Sequence, residues 1–148
     1  MGFKGKKSGK ISKESIAEKE GTLHRYPVFC FRYMTKNKDY NLEKGNDGRN
    51  EGNRARSELL KRIHCLSTHE WDDIRQWRKN LGYECESMIN LRMKPIKCGR
   101  TITDDSKLTI FRFGLGDGNN GRLVGILDGP IYSILYIDWD LSLYDHGS

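Results

Sequence analysis

The chain has 148 residues, enough for one domain with its own core and no need of metal or disulfide staples. Only 36% of it is hydrophobic against 31% charged, with a net charge of +6, so part of the chain is expected to stay outside the core. No run approaches the roughly eighteen apolar residues of a membrane span and the N-terminus lacks a signal peptide's apolar stretch, which argues against a membrane partner and for a soluble, cytoplasmic protein.

Residues 1–21 are Lys-rich and nearly free of large apolar side chains, and they read as a basic disordered tail. Such an arm either adds non-specific phosphate affinity or simply solubilises. The remaining residues, 22–148, read as a single domain. In 26–34, Phe29, Phe31 and Tyr33 alternate with Val28, Cys30 and Arg32, the period of a strand, and Pro27 places it at a sheet edge or at the strand's start. Residues 36–53, rich in Gly, Asn and charge, read as a long mobile loop. Ala55, Leu59, Ile63 and Leu66 then form the apolar stripe of a helix ending near Ser67. Ser67 with Glu70 matches a capping box, flanked by Leu66 and Trp71 in staple positions. That predicts a second helix over about 68–80, burying Trp71 and Ile74, with Gly82 as its stop.

Residues 83–100 read as irregular or weakly extended, with Met88, Ile89, Leu91 and Met93 available to tuck under a sheet. A strand at 108–113 follows. The glycine-rich 114–121 lacks the Lys-Ser/Thr of a phosphate-binding loop and reads as a connector. The strongest local signal comes last. Two β-branched and aromatic runs, 122–127 and 131–138, flank Asp128-Gly129-Pro130, a hairpin turn in which Gly takes positive φ without a Cβ clash. A third short run covers 141–144. The expected fold is therefore α+β: a small antiparallel sheet in β-α-α-β-β-β order, with two helices packed on one face.

If only one face is covered, alternation sorts the side chains. Phe111, Phe113, Ile131, Leu135, Ile137, Leu141 and Leu143 would point to the helices. Arg112, Tyr132, Ile134, Tyr136, Asp138, Ser142, Tyr144 and His146 would point to solvent. Arg122 shares a face with Val124 and Ile126. On an open face, an Arg can hold a phosphate bidentately, Tyr132 and Tyr136 can stack on bases, and a His can shuttle protons near neutral pH. Such residues also populate ordinary half-exposed sheets.

The four cysteines, Cys30, Cys65, Cys85 and Cys98, are widely spaced, with no C-x-x-C pair. They read as reduced, mostly buried thiols, and no metal or cofactor is expected. Charge is split along the chain: +3 over residues 1–20, +7 over 21–100 and −4 over 101–148. That imbalance favours a polyanionic or acidic partner.

The segments Phe29-Cys30-Phe31-Arg32-Tyr33, Leu81-Gly82-Tyr83-Glu84 and Ile137-Asp138 through Tyr144-Asp145-His146-Gly147 carry a resemblance. They are similar to stretches of small uncharacterised proteins of bacteria and their mobile elements, a likeness that implies no activity. In element order and basic charge the chain also resembles the RelE/ParE toxin superfamily. That resemblance implies a metal-independent endoribonuclease, cleaving RNA (on the ribosome or free of it) by 2′-hydroxyl attack and restrained by a cognate antitoxin. It implies Arg112 and Arg122 as cations offsetting phosphate charge, and Tyr144 or His146 as general acid or base. Arg75, Arg78 and Lys79 would track the nucleic-acid backbone. Two other functions are open: a non-catalytic mobile-element module that binds a host protein or nucleic acid, and a DNA-binding regulator using the second helix. The latter has acids where recognition helices usually meet bases.

Overall fold

The computed structural model describes residues 25–44, 50–77, 82–94, 96, 102–115 and 120–145. Its element order is β1 (Val28–Cys30), α1 (Asn50–Ser67), α2 (Trp71–Arg75), β2 (Tyr83–Ser87), a 3-10 turn at Met88–Asn90, β3 (Lys107–Gly114), β4 (Asn120–Asp128) and β5 (Ile131–Asp138). This is the α+β architecture expected, with a five-stranded sheet in the order β1-β5-β4-β3-β2. The four later strands are antiparallel, whereas β1 pairs in parallel with β5, Val28 opposite Ile131, so the sheet is mixed. Among the described residues no helix is long and apolar enough to cross a membrane.

The β4–β5 hairpin turns at Gly129 with φ +56, as the Asp-Gly signal requires. Pro130 opens β5 and offers its carbonyl to the Val28 N–H at 3.0 Å and to the Trp71 indole N–H at 3.0 Å. One turn residue thus ties the hairpin to β1 and to α2.

Both helices lie on one face of the sheet. Ala55, Leu59 and Leu66 of α1, with Trp71 and Ile74 of α2, pack on Phe111, Phe113 and Leu123. A fully buried side chain such as Leu59 stabilises by roughly 1.5–3 kcal/mol relative to exposure. The second helix is much shorter than its pattern suggested. Ser67 does not cap it: the Ser67 hydroxyl donates back to the Ile63 carbonyl at 2.8 Å, and Glu70 occupies the N-cap without a side-chain cap bond. Ser67 has been drawn into the end of α1, where back-bonding to the preceding turn competes with capping the next. The first strand is also trimmed to three residues, because after Cys30 the chain turns and pairs only sporadically with β5. The Thr35 N–H donates to the Leu135 carbonyl and the Ile137 N–H to the Tyr40 carbonyl.

The other face is not open. Leu108, Ile110, Val124, Leu135 and Tyr136 are buried under Met88, Leu91, Leu143 and Tyr144. The cover comes from a segment read as irregular. Residues 83–87 form the edge strand β2, and the 3-10 turn after it places Met88 inside, while Ile89 points out. The run 141–144 is no strand; it contributes one bridge, Tyr144 to Leu91.

A bulge then reverses part of the face assignment. Gly125 pairs with Ile134 and Val124 with Tyr136, so Leu135 is an extra residue. Tyr132 and Ile134 consequently join the helix-side core, while Leu135, Tyr136 and Asp138 lie on the second face. Neither Tyr132 nor Tyr136 has any exposure, which removes them as stacking platforms for bases. Ile131, expected inside, is 40% exposed beside the turn. Of the cysteines, Cys65 and Cys85 are exposed and Cys30 half-buried, so the thiols are not mainly core residues; Cys98 lies outside the described residues.

Candidate functional site

Cross-strand pairing places Arg112 of β3 opposite Arg122 of β4, and Arg122 opposite Asp138 of β5. Like charges side by side are unfavourable unless an anion sits between them. Glu84, on the neighbouring strand β2, supplies it. Its Oε2 lies 3.6 Å from the Arg112 Nη2, and its Oε1 lies 3.3 Å from the Arg122 Nε. The Tyr144 hydroxyl donates to the same Oε1 at 2.8 Å. Three of the four residues marked as catalytic therefore meet at one carboxylate that was not marked. The fourth, His146, lies outside the described residues, as do Arg78 and Lys79.

Burial grades the cluster. The Arg122 side chain is 8% exposed and Glu84 16%, but Arg112 is 29% exposed. Arg122 also donates to the carbonyls of Asn120 and Gly121 through Nη1, while its Nε meets Glu84 at ion-pair distance without hydrogen-bond alignment. Burial and the hydrogen bond to the Glu84 carboxylate push the Tyr144 hydroxyl well above the ordinary tyrosine value, partly opposed by Arg122. A phenol that holds its proton so firmly is a poor proton donor to a leaving group. Tyr144 is built to fix Glu84 in place.

Asp138 anchors the segment that carries Tyr144. Its two carboxylate oxygens accept the N–H groups of Ser142 and Leu143 at 3.0 and 3.2 Å. The turn passes through Leu141 at φ +62, a conformation that costs a branched side chain of the order of 1 kcal/mol. Asp138 therefore does not act as a free negative charge on an open surface.

Arg112 borders a cleft of about 380 Å³ between α1 and the β2–β3 end of the sheet, also lined by Glu58, Lys61, Arg62, Cys65, Gly82 and Asn120. Arg62 stands in its wall with its guanidinium 5.4 Å from the centroid of the Trp77 ring. Burial lowers the pKa of Arg62, with Cys65 acting in the opposite sense. Arg75 is elsewhere: its Nη1 pairs with Asp72 at 2.9 Å on the exposed side of α2. Among the described residues no group of three His, Cys, Asp or Glu side chains is placed to hold a metal ion.

The sequence reading missed Glu84, Lys61 and Arg62. Glu84 had a signal, since it closes the Leu81–Glu84 segment singled out for its resemblance. Lys61 and Arg62 had none, being two charges on the polar side of an amphipathic helix. No family model, no curated protein and no solved structure matches this chain.

Proposed function

We propose that this chain is a metal-independent endoribonuclease of the RelE/ParE kind, a cytoplasmic toxin acting on RNA and restrained by an antitoxin. The observation that carries this reading is the placement of Arg112: ion-paired to Glu84 on one side and bordering a cationic cleft on the other. Arg112 offsets the charge that builds on the phosphate in the transition state. Arg122 and Tyr144, buried behind it, are positioning residues that hold Glu84 and through it Arg112. His146, two residues after Tyr144, is the proton-transfer group of this reading. Its neutral imidazole takes the 2′-hydroxyl proton as the O2′–P bond forms. The imidazolium returns that proton to the 5′-oxygen as the P–O5′ bond breaks, leaving a 2′,3′-cyclic phosphate and a 5′-hydroxyl.

The test combines induced expression with cleavage of a purified mRNA by the purified protein. Wild-type chain should arrest growth and cut RNA in the presence of a chelator. Arg112→Ala and His146→Ala should lose both activities with unchanged circular dichroism. Arrest that survives both substitutions, or purified protein that leaves RNA intact, overturns the assignment.

A second reading, a non-catalytic module that docks a host protein, is favoured by a separate observation. Phe31 and Leu42, each 43% exposed, and Leu60, 64% exposed, border an apolar groove beside Arg56. That reading predicts a stable complex in pull-down without RNA turnover, and release of the partner when Leu60→Asp is introduced.

A further inference from the structure

Six large apolar side chains among the described residues are exposed, and three of them, Phe31, Leu42 and Leu60, border one groove. Single exposed apolar residues are ordinary, whereas a cluster around a concavity marks a contact surface. Leu59 and Ile63 of α1 complete the apolar lining. The groove holds about 250 Å³, under the roughly 300–1,000 Å³ of pockets that take drug-sized ligands. It suits the anchoring side chains of a protein partner better than a free small molecule.

Arg56 is the one polar side chain among the described lining residues. Its Nε and Nη2 donate to the Leu42 carbonyl at 3.2 and 3.0 Å, and Nη2 also donates to the Lys44 carbonyl at 2.9 Å. These bonds tie the Leu42 wall to α1, so the groove is formed before anything enters it. The acceptors are neutral, so the guanidinium keeps its charge at the rim.

The walls set the sign of the occupant. Residues 31–44 and α1 together carry eight Lys and Arg against four Asp and Glu. Lys38, Lys44 and Lys61 are paired to Glu43, Asp140 and Glu58, and the surplus is still positive with those pairs counted. A second copy of this face would bring the same surplus, and so would residues 1–20, with six Lys and three Glu. Like charge therefore disfavours both kinds of self-docking. The backbone sets the occupant's shape. No residue lining the groove lies in a strand, so an extended peptide would press unpaired N–H and C=O groups against Phe31, Leu42 and Leu60. An α-helix satisfies its own backbone and offers apolar anchors at i, i+4 and i+7.

We propose that the groove between α1 and the segment after β1 docks an amphipathic helix of a partner protein, whose apolar anchors are flanked by Asp or Glu. This rests on the second reading above for taking the face as a docking surface, and it names the partner's chemistry.

The probe is a fluorescein-labelled peptide with Leu at i, i+4 and i+7 and Glu and Ala elsewhere, cross-linked into a helix. Full-length wild type should bind it with micromolar affinity that weakens as salt rises. The same helix with Lys in place of every Glu should bind at least about tenfold more weakly. Leu60→Asp, at a side chain 64% exposed and therefore tolerated by the fold, should weaken the acidic helix by at least about tenfold. Ile89→Asp, at an apolar side chain 62% exposed on the 3-10 turn, should leave its affinity unchanged. Absence of binding, equal binding of acidic and basic helices, or undiminished binding in Leu60→Asp overturns the proposal. A wild-type dimer in ultracentrifugation that Leu60→Asp dissociates overturns it in favour of a second copy. Displacement of the peptide by an equal concentration of single-stranded ribo-oligonucleotide overturns it in favour of nucleic acid. If Leu60→Asp releases the pulled-down partner while both helices bind alike, the docking reading stands and the acidic helix falls. If the acidic helix binds as expected and wild type also cuts RNA, the non-catalytic reading falls and the groove stands.

Discussion

Glu84 is the residue whose removal distinguishes a cooperative cluster from a set of surface charges. Its carboxylate serves Arg112, Arg122 and Tyr144 at once, and two of these partners are almost wholly buried. Glu84→Gln keeps the shape but strands the Arg122 charge, so we expect a loss of about 2–3 kcal/mol in urea unfolding. Asp72→Asn, which breaks the exposed pair with Arg75, should cost at most a few tenths of a kcal/mol. Equal effects from the two would mean that the Glu84 cluster is no tighter than a surface ion pair. The tyrosines supply a pH test at the same scale. Burial raises the pKa values of Tyr132 and Tyr144 above their ordinary value of 10.0. The folded state thus holds these protons where the unfolded state would release them. Their stabilising contribution is complete below about pH 10 and is lost as pH climbs above that value. Absorbance at 295 nm should show both groups ionising only on alkaline unfolding, and Tyr144→Phe should flatten the decline. Free titration of every tyrosine in the native protein near pH 10 would contradict this.

At the level of elements, the bulge on β4–β5 decides what each strand can present. Gly125 lies beneath the Tyr132 ring, and a Cβ there would sit 2.7 Å from the Tyr132 Cζ. The Tyr132 hydroxyl in turn shares its proton between the carbonyls of Thr109 at 2.7 Å and Leu123 at 3.1 Å, tying three strands together. Gly125→Ala must displace either that ring or the ladder, and it should destabilise by about 3 kcal/mol, at the upper end of overpacking costs. Gly129→Ala is the natural comparison, since φ is positive there but nothing lies within 4 Å of the new Cβ. It should cost no more than about 1–2 kcal/mol of backbone strain. Chemical denaturation of the two variants measures both, and a smaller loss at Gly125 would show that the bulge relaxes easily.

Across the whole molecule, the sheet is covered twice by different means: helices on one face, and the 3-10 turn with the segment after Asp138 on the other. The second cover is short and is held by polar contacts: the Ser142 and Leu143 N–H groups donate to Asp138, the Arg92 N–H donates to the Leu143 carbonyl at 2.8 Å, the Tyr144 hydroxyl donates to Glu84, and Lys44 pairs with Asp140. Removing residues 139–148 should uncover Leu108, Ile110 and Tyr136. We expect strong binding of a hydrophobic dye and a melting temperature lower by about 10 °C or more, since a lost leucine and tyrosine together exceed 3 kcal/mol. A truncated protein that melts like the full chain and ignores the dye would mean that the second face is sealed without this segment.

How much of this could be read from the chain follows from the range of each interaction. The β4–β5 turn, the α1 stripe and the strand at 108–113 rest on local signals: a glycine that must take positive φ, and apolar residues repeating with the period of helix or strand. Alternation also turned Arg112 away from Phe111 and Phe113 and put Arg122 on the face of Val124, but it did not bring the two arginines together. It failed at Tyr132 and Ile134, because a one-residue bulge at Leu135 puts the residues before it out of step with Tyr136 and Ile137 after it, and carries no sequence signature of its own. The segment 83–91 was illegible for a related reason: β2 is a strand because β3 lies beside it, and Met88 is buried because the sheet's second face needs a cover. Arg112, Arg122 and Tyr144 were nameable one at a time, but only tertiary packing brings them to Glu84 and opens the cleft to Lys61 and Arg62. By itself the sequence determined β1, α1, the strand at 108–113 and the β4–β5 hairpin with their order, since those depend on neighbours a few residues apart. The tertiary structure alone decided which polar groups meet, because residues 84, 112, 122 and 144 become neighbours only once the strands have paired.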